Sequence, residues 1–208
     1  MKRWLGVVVL TAGLGPLAQA DTTILTLNPA GGVVSGPPGA TVGWGFEIYD
    51  DTYYLVVAAT GFCASFNTAS DTLPCQNPIN PPVAGGTYTD YFTNPPYSFI
   101  DSAPGSPDTS QSTFDPVAQT GTGAFTINND PTLIGQTLSG YIAVLYNLYS
   151  CDPNVCGNYV EETNPANNSL DFYAAAPASV DVVPEPAALA LTGPALLLVF
   201  LRWKRRRA

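Results

Sequence analysis

The chain has 208 residues, and its seven Lys and Arg residues all lie close to one or the other end. All sixteen Asp and Glu residues lie between Asp21 and Glu185, a stretch that contains no His, Lys or Arg. Because phosphate binding requires clustered cations, this composition argues against a nucleic-acid partner, whereas divalent cations stay possible ligands. The length suits one domain of ordinary size.

The first twenty residues have the pattern of a secretory signal peptide. Lys2 and Arg3 form a charged start, residues 5–14 are apolar, and Ala18 and Ala20 form a small-residue cleavage site. The alternative is a first buried helix of the domain, but the flanking cations and the Ala-x-Ala ending favour export. We therefore predict a signal peptide over residues 1–20, no retained leader, and a mature chain that begins immediately after Ala20.

Short alternating apolar patterns follow, separated by Gly, Pro and Asn rather than arranged in a helical period. Residues 41–49 are the clearest example, because one face is apolar while the other carries small and polar residues. The apolar face comprises Val42, Trp44, Phe46 and Ile48. In residues 140–149 both faces are partly apolar, and residues 53–59 are a continuous apolar run. The last two patterns indicate central strands.

Further strands are predicted at residues 22–27, 87–92, 123–128 and 169–180. Seven or eight short strands with Pro and Gly between them predict an all-β fold over residues 21–181, an antiparallel two-sheet sandwich of immunoglobulin-like character. Trp44 would be its buried core Trp, although the Cys spacing of a true immunoglobulin domain is missing. The turn-rich residues 71–86 and 94–115 are predicted to be surface excursions.

Four cysteines in an exported chain predict two disulfides. Three connectivities are possible, and the shortest loops are given by Cys63 with Cys75 and by Cys151 with Cys156. A structural zinc site is the competing interpretation, but the chain contains no Cys-x-x-Cys pair, and export disfavours free thiolates.

The domain lacks the usual catalytic side chains. Without His, Lys or Arg, a Ser-His-Asp or Cys-His arrangement is excluded, so only carboxylate chemistry such as that of a glycosidase survives. Most of the acids lie in turn-like contexts, where they bond nearby backbone. We predict no catalytic residue, no metal site and no cofactor.

Two binding functions stay open as alternatives to a passive role. Oxygen ligands for calcium are offered by residues 50–51, 128–130 and 161–162, although none has an EF-hand spacing. Aromatic strands could also stack on sugar rings, but the eleven Tyr residues suit a half-buried sheet equally well. A weak calcium- or carbohydrate-binding module is therefore the second hypothesis, and a glycosidase is a distant third.

The tail from residue 182 has three parts in a fixed order. Val183, Pro184, Glu185 and Pro186 come first, an apolar run over residues 187–201 follows, and a basic end closes the chain. The basic side chains are Arg202, Lys204, Arg205, Arg206 and Arg207. A helix from residue 186 to 203 would be about 27 Å long, close to the roughly 30 Å hydrocarbon layer. We predict a C-terminal transmembrane helix with its basic end in the cytoplasm and the domain outside.

A plain single-span anchor would fit the apolar run and the basic end, but the Pro-Glu-Pro triplet favours another interpretation. The tail resembles the PEP-CTERM sorting signal of exported proteins in Gram-negative bacteria. The resemblance implies that an exosortase, a multi-pass membrane protease, removes the tail and passes the protein to the surface or the extracellular polymer. The expected function is thus a non-catalytic surface or biofilm-matrix protein associated with exopolysaccharide, tethered to the inner membrane until it is processed.

Overall fold

The computed structural model describes residues 23–66, 75, 81–93, 101–165 and 168–185. The predicted signal peptide and the predicted transmembrane helix lie outside these residues. The described residues form ten β-strands and one 3-10 turn, Pro131–Leu133, and they contain no α-helix. The strands are β1 (Thr23–Asn28), β2 (Val33–Gly36), β3 (Thr41–Gly43), β4 (Gly45–Asp50), β5 (Tyr54–Cys63), β6 (Gly86–Asp90), β7 (Asp101–Ser102), β8 (Gly123–Ile127), β9 (Thr137–Tyr149) and β10 (Phe172–Val182).

The strands form three hydrogen-bonded sheets, with the orders β2-β10-β9-β5-β7, β1-β4 and β3-β8-β6. Because β3 and β4 are separated only by Trp44, we treat the two smaller sheets as one layer of the sandwich and the five-stranded sheet as the other. The pairing is antiparallel throughout, except that β2 lies parallel to β10. The predicted all-β, sandwich-like arrangement is confirmed at this level.

Trp44 divides the strand that the sequence predicts over residues 41–49. Its carbonyl accepts a hydrogen bond from the Thr122 N–H at 2.9 Å. Before Trp44, β3 pairs with β8, whereas after it β4 pairs with β1. The alternating pattern holds across the break, since Trp44, Phe46 and Ile48 are all buried and Val42 packs against the core. The Trp44 ring contacts Phe62, which in turn meets Phe125 edge to face.

The central position of β9 explains its two apolar faces. It lies between β10 and β5, with Ile142, Val144 and Tyr146 on the face that packs into the core. On the opposite face, Ala143 is fully buried and Leu145 is 6% exposed. A strand that is buried on both faces requires apolar residues at consecutive positions, as the sequence indicated.

Two side chains of the predicted surface excursion over residues 94–115 pack against the fold, although most of its described residues, 101–115, are exposed or half-buried. Ser102 donates its hydroxyl to the Ile48 carbonyl at 2.8 Å, and the Phe46 N–H donates to the Gln111 carbonyl at 2.8 Å. Ser102 and Gln111 are both buried. This segment covers the edge of β4 that β1 leaves free, because buried backbone donors and acceptors must find partners.

Candidate functional site

The end of β10 is where the predicted sorting tail leaves the folded domain. Val182 is 2% exposed, and both of its backbone groups bond to the segment that leads into β9, on one edge of β10. Its N–H donates to the Gln136 carbonyl at 2.9 Å, and its carbonyl accepts from the Gly135 N–H at 2.8 Å. One residue further, the Val183 N–H donates to the Gly36 carbonyl at 3.0 Å. The domain is therefore hydrogen-bonded up to the first residue of the predicted motif.

The exposure of the chain changes abruptly at this point. Val183 is 38% exposed, and Pro184 and Glu185 are exposed as well. No hydrogen bond that the structure gives holds these two residues, and a proline has no backbone N–H to donate. The remaining predicted processing residues, which are Ala18, Ala20, Pro186 and the basic end from Arg202 to Arg207, lie outside the described part of the chain.

The structure joins the four cysteines as two disulfides, Cys63 with Cys75 and Cys151 with Cys156. The Cα atoms are 4.9 Å apart in the first pair and 6.3 Å apart in the second. Cys63 is the last residue of β5 and is fully buried, whereas the second pair closes a turn that follows β9. These are the pairings with the shortest loops.

The acids proposed as calcium ligands have local structural partners. Asp50 is fully buried, and its Oδ1 accepts from the backbone N–H groups of Thr52 and Tyr53 at 2.9 and 3.0 Å. Its Oδ2 accepts the Thr23 hydroxyl at 2.8 Å. Asp130 caps the 3-10 turn through Thr132, whose N–H and hydroxyl lower the pKa of this carboxyl.

The third proposed pair of acids follows the turn after β9. Glu161 forms an isolated bridge with Tyr149. Burial raises the pKa of the Tyr149 phenol, and the neighbouring Glu161 carboxylate raises it further. Among the residues that the structure describes, no three His, Cys, Asp or Glu side chains come close enough together to hold a metal ion.

A cleft lies between the layers, where β1 diverges from the first residues of β10. This cleft has a volume of about 480 Å³. It is lined by Thr23, Leu25, Asp50, Tyr146, Leu148, Phe172, Tyr173, Ala174 and Ala175. Tyr146 stacks on Phe172 with ring centroids 5.7 Å apart, and its hydroxyl donates to Thr23 Oγ1 at 2.9 Å. The cleft thus combines aromatic and aliphatic side chains with the hydroxyl of Thr23 and the carboxylate of Asp50, and the greater part of its accessible lining is polar.

No pattern in the sequence indicates this cleft. Thr23 precedes Phe172 by well over a hundred residues, and neither residue belongs to a recognisable motif. The two edges are neighbours only because β1 pairs with β4 while β10 pairs with β9.

A second polar cluster joins Thr60 of β5 to Asp90 at the end of β6 and to Thr122 just before β8. The Thr60 hydroxyl contacts Asp90 Oδ1 at 2.7 Å, and it also contacts the Thr122 carbonyl. The Tyr88 phenol donates to Thr60 Oγ1 at 3.1 Å. Burial raises the pKa of Tyr88 well above its usual range. The cluster joins both layers and has the character of a structural network, because its groups satisfy one another.

No protein-family model, curated protein or solved structure matches this chain. Within the described residues, no helix has the length and apolar character needed to cross a membrane.

Proposed function

We propose that this chain is an exported, non-catalytic protein of the cell surface or extracellular matrix, sorted through its PEP-CTERM-like tail. Two observations support export. Both cysteine pairs are at disulfide distance, which suits an oxidising compartment, and the domain between the two ends carries no cation. A polyanionic surface of this kind favours solubility outside the cell.

The observation that carries the proposal is the form of the exit from β10. An extended and exposed segment begins directly after a strand end that is fixed by hydrogen bonds on both edges. Proteases bind extended chains, and Pro184 keeps the residue before it extended. The segment Val183–Pro184–Glu185 is therefore suited to be cut while the domain remains folded. An exosortase in the inner membrane is the proposed protease.

The test replaces Pro184, Glu185 and Pro186 together by Ala. We expect full-length protein to accumulate in the inner membrane, as it should in cells that lack the exosortase, because the protease no longer binds its motif. Immunoblotting of membrane and surface fractions with a tag in the 150–162 turn measures both forms. Replacing the exposed Pro116 and Val117 by Ala gives a control outside the motif. Surface protein that still carries the Arg-rich end in wild-type cells would contradict the proposal.

We further propose that the sandwich is immunoglobulin-like. We take β3 and β4 as one strand and leave out the short strands β2 and β7. One layer then has the order β1, β3 with β4, β8 and β6, and the other has the order β10, β9 and β5. This is the arrangement of constant-type immunoglobulin sheets. Three features differ: Trp44 lies between β3 and β4 rather than on β5, β7 pairs with the edge of β5, and β2 pairs in parallel with β10.

The absence of catalysis is proposed from the lining of the cleft. A retaining glycosidase needs two carboxyl groups about 5–5.5 Å apart. The cleft lining contributes one, that of Asp50, and both of its oxygens already accept hydrogen bonds from the protein. Such a carboxylate stabilises the turn after β4, and its full burial denies it to a substrate.

Weak binding of a neutral glycan is a second candidate function, and the cleft is the observation that favours it. Its volume of about 480 Å³ exceeds that of a single sugar ring, and its lining combines aromatic side chains with the hydroxyl of Thr23. Phe172 is half-buried, so part of its ring faces the opening. An acidic glycan would be repelled by the sixteen uncompensated carboxylates.

Titration calorimetry with neutral and acidic oligosaccharides tests this candidate. We expect millimolar binding of a neutral glycan that is lost in Phe172→Leu, because Leu keeps the apolar volume but removes the ring. Tyr141→Leu is the matched control, since Tyr141 is a 39% exposed aromatic residue on β9 outside the cleft. Binding that is unchanged in Phe172→Leu, or absent for every neutral glycan, would reject the cleft as a sugar site.

A further inference from the structure

The distance between the folded domain and the predicted membrane segment is short. Val183 is still bonded to β2 through the Gly36 carbonyl, and the apolar run begins at Ala187. Four residue steps span at most about 14 Å. The headgroup layer takes up roughly 6 Å on each side of the bilayer. If the tail spans the membrane as proposed above, Val183 lies no more than about 8 Å above the headgroups.

Parts of the domain project beyond Val183 in the same direction. We name residues 36–39 and 130–136 the exit face. Because β2 runs parallel to β10, the turn after Gly36 continues toward the tail before it returns, and the Gly39 N–H fixes it to the Ile127 carbonyl at 3.1 Å. The second part connects β8 to β9, and hydrogen bonds from Ile134 to Pro131 and from Gln136 to Leu133 hold it closed.

The exit face also differs chemically from the rest of the domain. Asp130 is its only charged residue, and this carboxylate is engaged in capping Thr132. Ile134 is 41% exposed, and the adjoining Val183 is 38% exposed. Exposed apolar side chains among neutral residues suit the boundary between headgroups and acyl chains. An anionic patch in this position would be repelled by acidic lipids.

We propose that the exit face lies against the phospholipid headgroups of the inner membrane for as long as the tail is intact, with Ile134 in the interface. The inference rests on the proposed function, because it requires residues 187–201 to span the membrane. The lipid surface is the partner, and the contact is released when the tail is cut. While the contact lasts, the domain stands upright on the membrane, because β9 leads from the exit face to the 150–162 turn over thirteen residues, or about 40 Å.

Tryptophan quenching by brominated lipids tests the contact. The chain with its tail is purified from cells that lack the exosortase, with Trp4→Phe and Trp203→Phe so that the buried Trp44 gives a constant background. It is reconstituted into phosphatidylethanolamine and phosphatidylglycerol vesicles with bromine near the headgroup end of the acyl chains. We expect the emission added by Ile134→Trp to be quenched. The emission added by Val155→Trp, in the 79% exposed position at the far end, should be unchanged.

A flexible linker provides the second arm. A Gly/Ser insertion of about twelve residues after Val183 has an average span near 20 Å, so the domain is freed from the surface while the tail stays inserted. Quenching in Ile134→Trp should then be lost. If the chain floats with the vesicles but Ile134→Trp is not quenched, or is quenched equally with the linker, the contact is refuted. If the chain does not float with the vesicles, the membrane segment itself is refuted, and the contact with it.

Discussion

At the scale of single residues, the buried acids and phenols of this domain are satisfied without cations. Asp50 takes its hydrogen bonds from two backbone N–H groups and a Thr hydroxyl, and Asp90 accepts from Thr60, the Phe92 N–H and Thr93. Charge-assisted bonds of this kind are stronger than bonds between neutral groups. Hydroxyl and backbone N–H groups therefore supply the hydrogen bonds that Lys or Arg side chains would otherwise donate to these carboxylates.

Tyr88 should make the domain sensitive to alkali. Burial raises its pKa above the value near 10 of the unfolded chain, so its contribution is complete below about pH 10 and is lost as the pH rises further. The loss is up to about 1.4 kcal/mol of unfolding free energy per pH unit. Urea unfolding between neutral pH and pH 11 measures it, and Tyr88→Phe should flatten the decline.

The same substitution should cost about 1 kcal/mol at neutral pH, because the hydrogen bond to Thr60 is lost. Burial also raises the pKa of Tyr91 and Tyr149, so part of the alkaline decline remains in the variant. Tyr141→Phe is the exposed control and should follow the wild type. A Tyr88→Phe curve parallel to the wild type at high pH would show that this phenol ionises freely in the folded domain.

At the scale of elements, the two disulfides differ in what they fix. Cys63–Cys75 closes a span of twelve residues next to the core, and Cys151–Cys156 closes five in a surface turn. From loop entropy, replacing the first pair by Ala should cost about 3 kcal/mol and the second about 2 kcal/mol. Because Cys63 is fully buried, its loss also leaves a cavity, which widens the difference.

Guanidinium unfolding of the two double-Ala variants, each compared with the oxidised wild type, measures this order. Reduction of the wild type should reproduce the sum of the two effects, provided that they are independent. A larger loss from the 151–156 pair would mean that this turn stabilises the strands β5 and β9, which meet beneath it.

Every strand except β2 and β7 overlaps a strand predicted from the sequence. β4, β5 and β9 carry alternating or continuous apolar residues because each contributes several side chains to the core, and that pattern is local. β2 has four residues, and its partner on β10 is about 146 positions away along the chain, so nothing in Val33–Gly36 indicates a parallel pairing. β7 has two residues and exists only as the edge of β5.

The tail motif and the cleft also differ in whether a local sequence pattern indicates them. The sorting motif at Val183 to Glu185 could be predicted because it is a linear pattern, in which neighbouring residues carry the information. The cleft depends on how far the edges of β1 and β10 diverge, a property of the twist of two sheets that no single segment records. The packing of Ser102 and Gln111 against the edge of β4 was not predicted, because a Pro-rich segment has the same composition whether it is packed or solvated.

At the scale of the whole molecule, the charge distribution sets the solution behaviour. Sixteen carboxylates without one cation between Asp21 and Glu185 repel each other in the compact state. Raising the ionic strength from about 0.01 M to about 0.15 M reduces the screening length from roughly 30 Å to 8 Å. We therefore expect the melting temperature of the domain to rise by a few degrees with added NaCl.

Differential scanning calorimetry in the two salt concentrations checks the effect, and the control is the same pair of scans near pH 4. There, many carboxylates are protonated, so the rise should shrink. Hydrogen bonds from Ala118 and Val117 lower the pKa of Asp115, so this carboxylate should stay charged to a lower pH than an Asp with an ordinary pKa. A melting temperature that falls with salt at neutral pH would show that self-repulsion is not a main cost of folding.

The parallel pairing of β2 with β10 gives the domain a mechanical direction. The described chain starts at the Thr23 end, beside the start of β10, and leaves at the opposite end after Val182. A pull on the tail against a load at the other terminus therefore drags β10 lengthwise along β2. The four residue pairs from Ser179–Val33 to Val182–Gly36 then carry the tension side by side, so they must give way together rather than one after another, as they would in a zipper.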